Sequence, residues 1–288
     1  MSRTLQENKD IVARWKIKQK LLGYDNIVQY IFQIGGYDNI RLCEVKIKNL
    51  PGNGNKVTIY IPEFVEGISG GAFSGVECDL ELVYSGDKIK RVRELFSGYM
   101  GKSIDMGRFN TKNVTDMNYL FGNCKNLKHI NIDGINTSKL LRMPGMFSGT
   151  AIEYIDISKI NTSEVTDMSG LFRGCTYLKE VYMGGMDTSN VWDMNRMFMG
   201  CINLENICLK GIDTSGVNDM AYMFRDCESL YKLDLSSFST SAIIDEQDIH
   251  GMFVGCTSLD FNSLNTNDRS LLEEVNKYKT GYYGDGYR

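Results

Sequence analysis

Apolar and polar positions recur along this chain in one pattern with a period of about 25 residues. In its clearest copy, apolar side chains follow one another at steps of three and four: Val165, Met168, Leu171, Phe172 and Cys175. This is the spacing of one helical face, and it predicts a short helix or turn that packs inward. Downstream, Val181 and Met183 alternate about Tyr182, which predicts a strand of about three residues with its middle side chain facing outward.

A phenylalanine marks the register of each copy. Six copies are clear, with spacings of 26, 25, 26, 26 and 29 residues between Phe121, Phe147, Phe172, Phe198, Phe224 and Phe253. Phe73 and Phe96 extend the register backward at steps of 23 and 25 residues, which gives about eight coils between residues 56 and 264. A period of roughly 20 to 29 residues with a short strand in each copy predicts a leucine-rich-repeat solenoid. Since one coil cannot bury its apolar face alone, the coils stack on one continuous core.

Short polar residues open most copies. An Asn-Thr-Ser or Asp-Thr-Ser triplet begins at Asn136, Asn161, Asp187 and Asp213. Such side chains bond nearby backbone groups and tolerate turn conformations, so we interpret them as corners of the coils. A second carboxylate follows in most copies, at Asp116, Asp167, Asp193 and Asp219. We place it at the start of the inward-packing helix, where it favours the helix dipole, in preference to a metal site.

The repeat resembles that of the bacterial BspA-like leucine-rich repeat family. The shared string is Asp/Asn-Thr-Ser-x-Val-x-Asp-Met-x-x-Met-Phe-x-x-Cys-x-x-Leu, which residues 194–201 and 220–227 match nearly residue for residue. Upstream, residues 57–62 and 71–75 resemble the sister repeat of the same family, in which an isoleucine-proline strand precedes a glycine-alanine-phenylalanine turn. The resemblance covers some seven tenths of the chain. It implies an α/β repeat protein with a parallel sheet, in a family of surface proteins that adhere to host tissue.

Two copies depart from the family pattern. In the second full copy Arg142 replaces the aspartate and Thr150 replaces the cysteine. In the last copy three additional residues, around 245–247, enlarge the coil.

The two ends of the chain do not follow the repeat, and we divide the chain there. We assign residues 1–42 to a basic N-terminal helix and cap, residues 43–264 to the solenoid, and residues 265–288 to a C-terminal cap with a mobile tail. The structure of residues 24–42 stays open, because the apolar positions of residues 27–34 fit the helical and the strand period equally well.

Each cap contains a predicted helix. Residues 5–22 read as a helix ended by Gly23. Its apolar face comprises Leu5, Val12, Trp15 and Leu22. Residues 268–279 form a second, shorter helix. Its inner side comprises Leu271, Leu272 and Val275. Alternation over residues 43–48 predicts the first strand.

The N-terminal helix is basic in an acidic chain. Residues 1–22 hold six Lys or Arg against two acidic residues, a net charge of +4, which leaves −8 on the rest of a chain whose total is −4. One interpretation is a basic arm that binds nucleic acid or an acidic partner through Arg14, Lys16, Lys18 and Lys20. The other, which we favour, is a capping helix with a solvated basic face, whose Trp15 covers the open end of the solenoid.

Composition and cysteine usage indicate a reduced compartment. The N-terminus lacks the apolar segment and cleavage site of an export signal, and no apolar run approaches the roughly 18 residues of a membrane span. Five of the eight cysteines share one repeat position: Cys124, Cys175, Cys201, Cys227 and Cys256. We expect all eight thiols to be free, because parallel stacked side chains give the wrong dihedral angle for a disulfide. The chain is therefore expected to be cytoplasmic, or at the cell surface if an export signal was removed.

Catalytic patterns are weak, and we expect no enzyme, no cofactor and no metal. His129 and His250 lie in different copies without a recurring Ser or Cys partner. The cysteines form no CxxC pair, which disfavours zinc. The segment Gly98–Ser103 ends like a phosphate-binding loop but lacks the earlier glycine, because Phe96 occupies that position.

Binding is expected on the exposed face of the sheet. The outward strand positions carry carboxylates and tyrosines, which combine steering charge with contact area. The residues selected are Glu81, Asp105, Asn131, Tyr154, Asp156, Tyr182 and Asp234. An ordinary solvent-facing row of an acidic protein has the same composition, so both interpretations stay open. The negative sign disfavours nucleic acid on this face.

Two functions follow from these observations. The first is a non-enzymatic scaffold inside the cell that captures or blocks another protein, one with a basic surface, as a regulator or a phage or mobile-element inhibitor would. The second, implied by the family resemblance, is an adhesin-like surface module that binds host or cell-surface proteins.

Overall fold

A computed structural model of the chain describes residues 4–21, 28–34, 40–47 and 56–279. Two α-helices lie at the ends of the described chain, α1 (Leu5–Leu21) and α2 (Arg269–Lys279), and a 3-10 helix spans Glu246–Ile249. The strands are β1 (Val28–Ile34), β2 (Ile40–Ile47), β3 (Val57–Tyr60), β4 (Gly67–Ile68), β5 (Leu80–Tyr84), β6 (Ser103–Phe109), β7 (His129–Asn131), β8 (Tyr154–Asp156), β9 (Glu180–Tyr182) and β10 (Asn206–Cys208).

Parallel strands from successive coils form two sheets on one side of the solenoid. The first has the order β3-β5-β6-β7 and the second the order β8-β9-β10. Within them, outward residues face each other in register, as Glu81 faces Asp105 in the first sheet and Asp156 faces Tyr182 in the second. The architecture is therefore the predicted solenoid with parallel sheets.

The segment predicted as a short helix or turn is a turn, with no α-helix in any coil of residues 56–264. Two left-handed positions in each coil interrupt a helix, two residues before and two residues after the phenylalanine. In the clearest copy they are Gly170 (φ 58°) and Gly174 (φ 71°). The backbone N–H groups of Met168, Gly170, Phe172 and Gly174 donate to carbonyl groups of the next coil at 2.8 to 3.0 Å. Bonds between coils thus replace the bonds within a helix.

A column of isolated backbone bridges joins the coils on the side of these turns. The bridged residues are Arg91, Asp116, Arg142, Asp167, Asp193 and Asp219. Because they do not begin helices, the helix-dipole role expected for the aspartates is wrong. Each carboxylate instead accepts the N–H group two residues further on, as Asp167 accepts from Ser169 at 3.0 Å. The aspartate row fixes a tight turn in every coil.

A stack of phenylalanine rings forms the centre of the core. Adjacent rings from Phe73 to Phe253 lie 5.2 to 6.1 Å apart between centroids, with interplanar angles of 1° to 29°. The cysteine column packs beside it, and each thiol donates to the carbonyl oxygen of the preceding coil's phenylalanine, as Cys175 does to Phe147 at 3.0 Å. Thr150, which replaces cysteine in one copy, donates to the same carbonyl oxygen at 2.9 Å. Phe147 belongs to the same coil as Thr150, so the substituted copy forms this bond within one coil, whereas the cysteines bond to the preceding coil.

The corner triplets bond as expected. Asn161 accepts the N–H group of Ser163 at 3.1 Å, and the buried Thr162 donates to the carbonyl oxygen of Asp187 in the next coil at 2.6 Å. Buried threonines occupy this position in six successive coils: Thr111, Thr137, Thr162, Thr188, Thr214 and Thr240. They link the corners of neighbouring coils.

At the N-terminus, α1 packs through Trp15, whose ring contacts Tyr30, Phe32 and Phe64 at 5.1 to 6.1 Å between centroids. The ambiguous segment is strand β1, which pairs antiparallel with β2, so β2 is the second strand of the chain and not the first. In turn β2 pairs in parallel with β4. The aromatic cluster under Trp15 attaches the helix to the solenoid.

The apolar face predicted for α1 is only partly correct. Val12 is buried, but Leu5 is exposed. The predicted Leu22 lies outside the described residues. Asn8 and Val12 are buried residues of the helix, and Trp15 provides its aromatic contacts.

At the C-terminus, Leu271 and Val275 of α2 are buried, whereas the predicted Leu272 is exposed. Asp268 precedes the helix and accepts the N–H group of Leu271 at 3.1 Å and that of Thr240 at 2.8 Å. Residues 281–288, predicted to be mobile, lie outside the described residues.

The number of regular turns is about six, slightly fewer than the eight coils expected. The two outermost phenylalanines lie in turns of different construction. The turn of Phe73 carries the short strand β4, and that of Phe253 carries the 3-10 helix, which the additional residues of the last copy form. The domain boundaries at residues 42 and 264 stay predictions.

Candidate binding surfaces

The exposed sheet face has two halves with different chemistry. Its first half, on β5, β6 and β7, brings together Glu81, Asp105 and Asn131. Its second half, on β8, β9 and β10, brings together Tyr154, Asp156 and Tyr182. Asp234 lies next to β10, where it lines one recess together with Asn206 and Cys208, and it bridges to Asn265 on its other side. All seven residues selected from the sequence thus lie on this face.

The acids of the first half are neutralised by cations of the same chain. Lys56 Nζ lies 2.8 Å from Asp105 Oδ2 and 3.7 Å from Glu81 Oε2, and Arg108 Nη1 lies 3.5 Å from Glu81 Oε1. Asn131 donates to Asp105 Oδ1 at 2.9 Å. Desolvation alone would raise the pKa of Asp105, but the hydrogen bond and charge of Lys56 lower it below its ordinary value. This half carries little unpaired negative charge.

The second half presents tyrosines and ionised acids to solvent. Tyr154 is 61% exposed and Tyr182 is 48% exposed. Hydrogen bonds from the side chain and backbone of Ser158 lower the pKa of Asp156, and bonds from Ser236 lower that of Asp234. Both carboxylates are therefore charged at neutral pH, and neither forms an ion pair with a described cation.

A groove separates the two halves, and the sequence pattern did not predict it. Its lining runs over residues 130–135 and 154–160 and encloses about 330 Å³. Lys159 and Asp133 lie 3.6 Å apart across it, and Tyr154 forms part of its wall. The sequence feature that could have indicated the groove is the irregular copy that carries Thr150, because this copy lies between β7 and β8, where one sheet ends and the next begins.

The turn side of the solenoid forms a second exposed surface, which we name the ladder face. It consists of the bridged column and the residues just before it: Lys90, Arg91, Thr115, Asp116, Leu141, Arg142, Thr166, Asp167, Trp192, Asp193, Asn218, Asp219, Gln247 and Asp248.

Burial raises the pKa of Asp193 to about 6, and the neighbouring carboxylates of Asp167 and Asp219 act in the same direction. Arg142 Nη2 lies 3.0 Å from Asp167 Oδ2. In the described part of the chain, no group of three His, Cys, Asp or Glu side chains is arranged to hold a metal ion.

A basic concavity of about 660 Å³ lies at the N-terminal end of the ladder face. Gly67 and Gly70 leave its floor without side chains, and one acidic residue, Glu66, lies in its wall. Its cations are Arg41, Lys88, Lys90, Arg91 and Arg93. Sequence reasoning missed this site, although four of these cations cluster within residues 88–93.

The basic residues of α1 project into solvent away from the Trp15 cluster. Arg14, Lys16, Lys18 and Lys20 are all exposed. Arg14 Nε donates to the carbonyl oxygen of Asp10 at 3.2 Å, a bond within the helix. These contacts agree with a capping helix that has a solvated basic face.

The fold and these surfaces define a repeat solenoid with two exposed faces. The chain belongs to the family described as Mycoplasma protein of unknown function, DUF285, whose model matches residues 90–183 and 177–280. No curated protein sequence matches the chain.

Solved structures with a similar arrangement are bacterial leucine-rich repeat proteins. A leucine-rich repeat protein of T. pallidum is 18% identical, with 90% of this chain and 94% of that chain covered and a TM-score of 0.44. A leucine-rich cell surface protein of Faecalibacterium prausnitzii is 14% identical over 86% of this chain and 95% of that chain, with a TM-score of 0.31. A leucine-rich repeat protein of Bacteroides ovatus is 17% identical over 84% and 89%, with a TM-score of 0.24.

None of the helices in the described ranges is long and apolar enough to cross a membrane.

Proposed function

We propose that this protein is a BspA-like leucine-rich repeat scaffold without enzymatic activity, which captures another protein on the second half of its sheet face. The observation that carries the proposal is the joint exposure of Tyr154 and Tyr182 beside the ionised Asp156 on two paired strands. Exposed tyrosines on a rigid sheet provide contact area at a small loss of conformational entropy. The adjacent carboxylates favour a partner with a basic surface.

The different chemistry of the two halves restricts the proposed binding site to the second half of the sheet face. In the first half, Lys56 and Arg108 pair with the acids, so a basic partner would have to displace them. In the second half, hydrogen bonds from Ser158 and Ser236 keep Asp156 and Asp234 charged, and neither carboxylate forms an ion pair with a described cation. The groove beside Tyr154 offers a recess for a partner side chain. Binding is therefore proposed to centre on β8 and β9, with Asp234 at its edge.

The test is a pull-down from the native cell, followed by affinity measurements on variants. Tyr154→Ala with Tyr182→Ala should weaken binding at least tenfold, since the loss of a single tyrosine at the centre of an interface can cost about 2 kcal/mol. Asp156→Lys with Asp234→Lys should slow association and remove its salt dependence. Tyr177→Ala is the matched control, because Tyr177 is similarly exposed but lies outside the sheets. If the four substitutions leave binding unchanged while deletion of residues 1–22 abolishes it, the basic helix is the contact and the proposal is wrong.

We also propose that the protein acts inside the cell, as a regulator or inhibitor. All eight cysteines are thiols, and five of them are buried in the core as small apolar side chains, which suits a reducing compartment. Protease treatment of intact cells distinguishes this location from the adhesin-like alternative. Cleavage of the protein on intact cells would place it at the surface and overturn this part of the proposal.

A further inference from the structure

The ladder face changes sign along its length. Its N-terminal end carries Lys90 and Arg91 beside the basic concavity, and neither pairs with a carboxylate among the ion pairs of the described residues. Its C-terminal end carries Asp248, and the exposed Asp245 and Glu246 directly precede this end in the enlarged coil of Phe253. These ends lie six coils apart, or roughly 29 Å at the usual spacing of stacked strands. One face therefore presents a basic patch and an acidic patch at a fixed separation.

Apolar side chains lie between the two charged ends. Leu141 is 44% exposed and Trp192 is 47% exposed, at equivalent positions in the coils of Phe147 and Phe198. The backbone bonds of this column confirm the register, since Thr166 N–H donates to the carbonyl oxygen of Leu141 and Trp192 N–H donates to that of Thr166. Leu141 and Trp192 are thus one coil before and one coil after Thr166.

The face is self-complementary about the coil of Phe172, which contains Thr166. When the face is turned end for end about this coil, the coil of Leu141 takes the place of the coil of Trp192. The same operation exchanges the basic end with the acidic end, because each lies three coils from the centre. On the ladder face it sets Arg91 against Asp248 and Arg142 against Asp193. A twofold dimer requires such a surface, in which each contact occurs twice.

We propose that two copies of this chain associate antiparallel through the ladder face. Leu141 of each copy packs on Trp192 of the other, and the Lys90 and Arg91 end of each faces the Glu246 and Asp248 end of the other. A parallel pairing would set basic against basic and acidic against acidic, so charge selects the antiparallel arrangement. The sheet face stays open in this dimer, and the inference is independent of the function proposed above.

One pairing in this arrangement is unfavourable. Asp116 of one copy faces Asp219 of the other. Arg93 Nε lies 3.6 Å from Asp116 Oδ2, and the charge of Arg196 acts on Asp219. The central Asp167 is buried and paired with Arg142, so two unpaired carboxylates do not meet on the axis. Cations of the same chain thus reduce the repulsion at both places.

The test is the molar mass of the full chain in solution, measured by sedimentation over a concentration series at low and high salt. The wild type should be a dimer whose dissociation constant rises with salt. One variant reverses the basic end (Lys90→Glu with Arg91→Glu) and a second reverses the acidic end (Glu246→Lys with Asp248→Lys). Each alone should be monomeric. An equimolar mixture of the two should restore the dimer, because both charge pairs are then opposite in sign.

Controls separate this proposal from a loss of folding or a general charge effect. Lys125→Glu with Lys210→Glu makes the same change in net charge away from the ladder face and should leave the dimer intact. Trp192→Ala should weaken association at least tenfold with little change in the melting temperature. A monomeric wild type at every concentration overturns the proposal, as does a dimer of either charge-reversed variant alone. Failure of the mixture to associate also overturns it.

Discussion

At the scale of single residues, each column of the solenoid performs one task in every coil. The phenylalanine fills the core, the cysteine donates to the coil before it, and the threonine bonds the corner after it. Burial raises the pKa of Cys175 to about 11 and that of Cys256 to about 12. Because the thiolate is the reactive form, these thiols are chemically inert in the folded protein.

The phenylalanine column gives the first prediction at this scale. Phe172→Ala should destabilise the protein by about 3 to 5 kcal/mol, because it leaves a cavity between rings that stack on both sides. The rings of Phe147 and Phe198 lie 5.3 and 5.5 Å away and lose a partner. Chemical denaturation measures the change, with Tyr177→Ala as the exposed aromatic control. Equal effects of the two substitutions would contradict burial of the column.

The aspartate row gives a prediction about pH. Burial raises the pKa of Asp193 to about 6 in the folded state, whereas an unfolded aspartate titrates near 4. The folded protein therefore binds this proton more tightly, and stability from this group is present below pH 4 and is lost as the pH rises through 6. Asp193→Asn removes the charge and keeps an oxygen that can accept the N–H group of Asn195.

The variant should accordingly be more stable than the wild type at pH 7, by about 1 kcal/mol at this partly buried position, and equal to it near pH 4. Melting temperatures of both proteins across this range provide the measurement. A difference in melting temperature between the two proteins that stays constant with pH would show that the charge of Asp193 does not affect stability.

At the scale of elements, the sequence identified the period and the strands but not the conformation of the turns. Steps of three and four apolar residues fit a helix, yet the positions two residues on either side of each phenylalanine are left-handed. They include non-glycine residues such as Tyr119 (φ 49°) and Asn123 (φ 59°). The left-handed backbone of these residues is strained, and hydrogen bonds to the next coil offset the strain. These bonds join different copies of the repeat, so the pattern within one copy does not predict them.

Gly174 tests this conformation. Its φ is 71°, and a Cβ added there would meet no atom within 4 Å, so the effect of Gly174→Ala isolates the backbone. We expect a loss of about 1 kcal/mol in a left-handed turn, whereas the same change within a helix would stabilise it. Gly216→Ala is the matched control, because this glycine has no left-handed φ and its added Cβ meets ordinary contacts at 3.4 Å or more. Chemical denaturation measures both variants. The loss of unfolding free energy should be clearly larger for Gly174→Ala than for Gly216→Ala, and equal effects would contradict the prediction.

The candidate surfaces show a similar limit of sequence reasoning. Alternation along the strands predicted that Asp105 and Tyr182 face outward, and the structure places Asp105 in register with Glu81 and Tyr182 in register with Asp156. It could not show that Lys56, which lies 49 residues before Asp105, pairs with it across two strands. The ladder face was missed because its residues were assigned to a helix, and a helix would not have aligned Leu141 and Trp192 in one column.

At the scale of the whole molecule, each coil contacts its two neighbours. A substitution in one coil should therefore destabilise the nearby coils more than the distant ones. The cap α2 covers the last coil through Leu271 and Val275, and Phe253 contacts Tyr278 of the same helix at 5.8 Å between centroids. Leu271→Ala should destabilise this end by about 2 to 5 kcal/mol. Loosening should then spread from the end and weaken with distance.

Hydrogen exchange tests this expectation, because it measures the protection of the amides in each coil separately. In Leu271→Ala the amides near Phe253 and Phe224 should lose protection first, while those near Phe121 keep theirs, because bonds between coils connect only neighbours. Val275→Ala, in the same cap, should give the same pattern, which excludes an effect peculiar to one side chain. A uniform loss of protection from Phe96 to Phe253 would instead mean that the solenoid unfolds as one cooperative unit, and that its caps stabilise every coil equally.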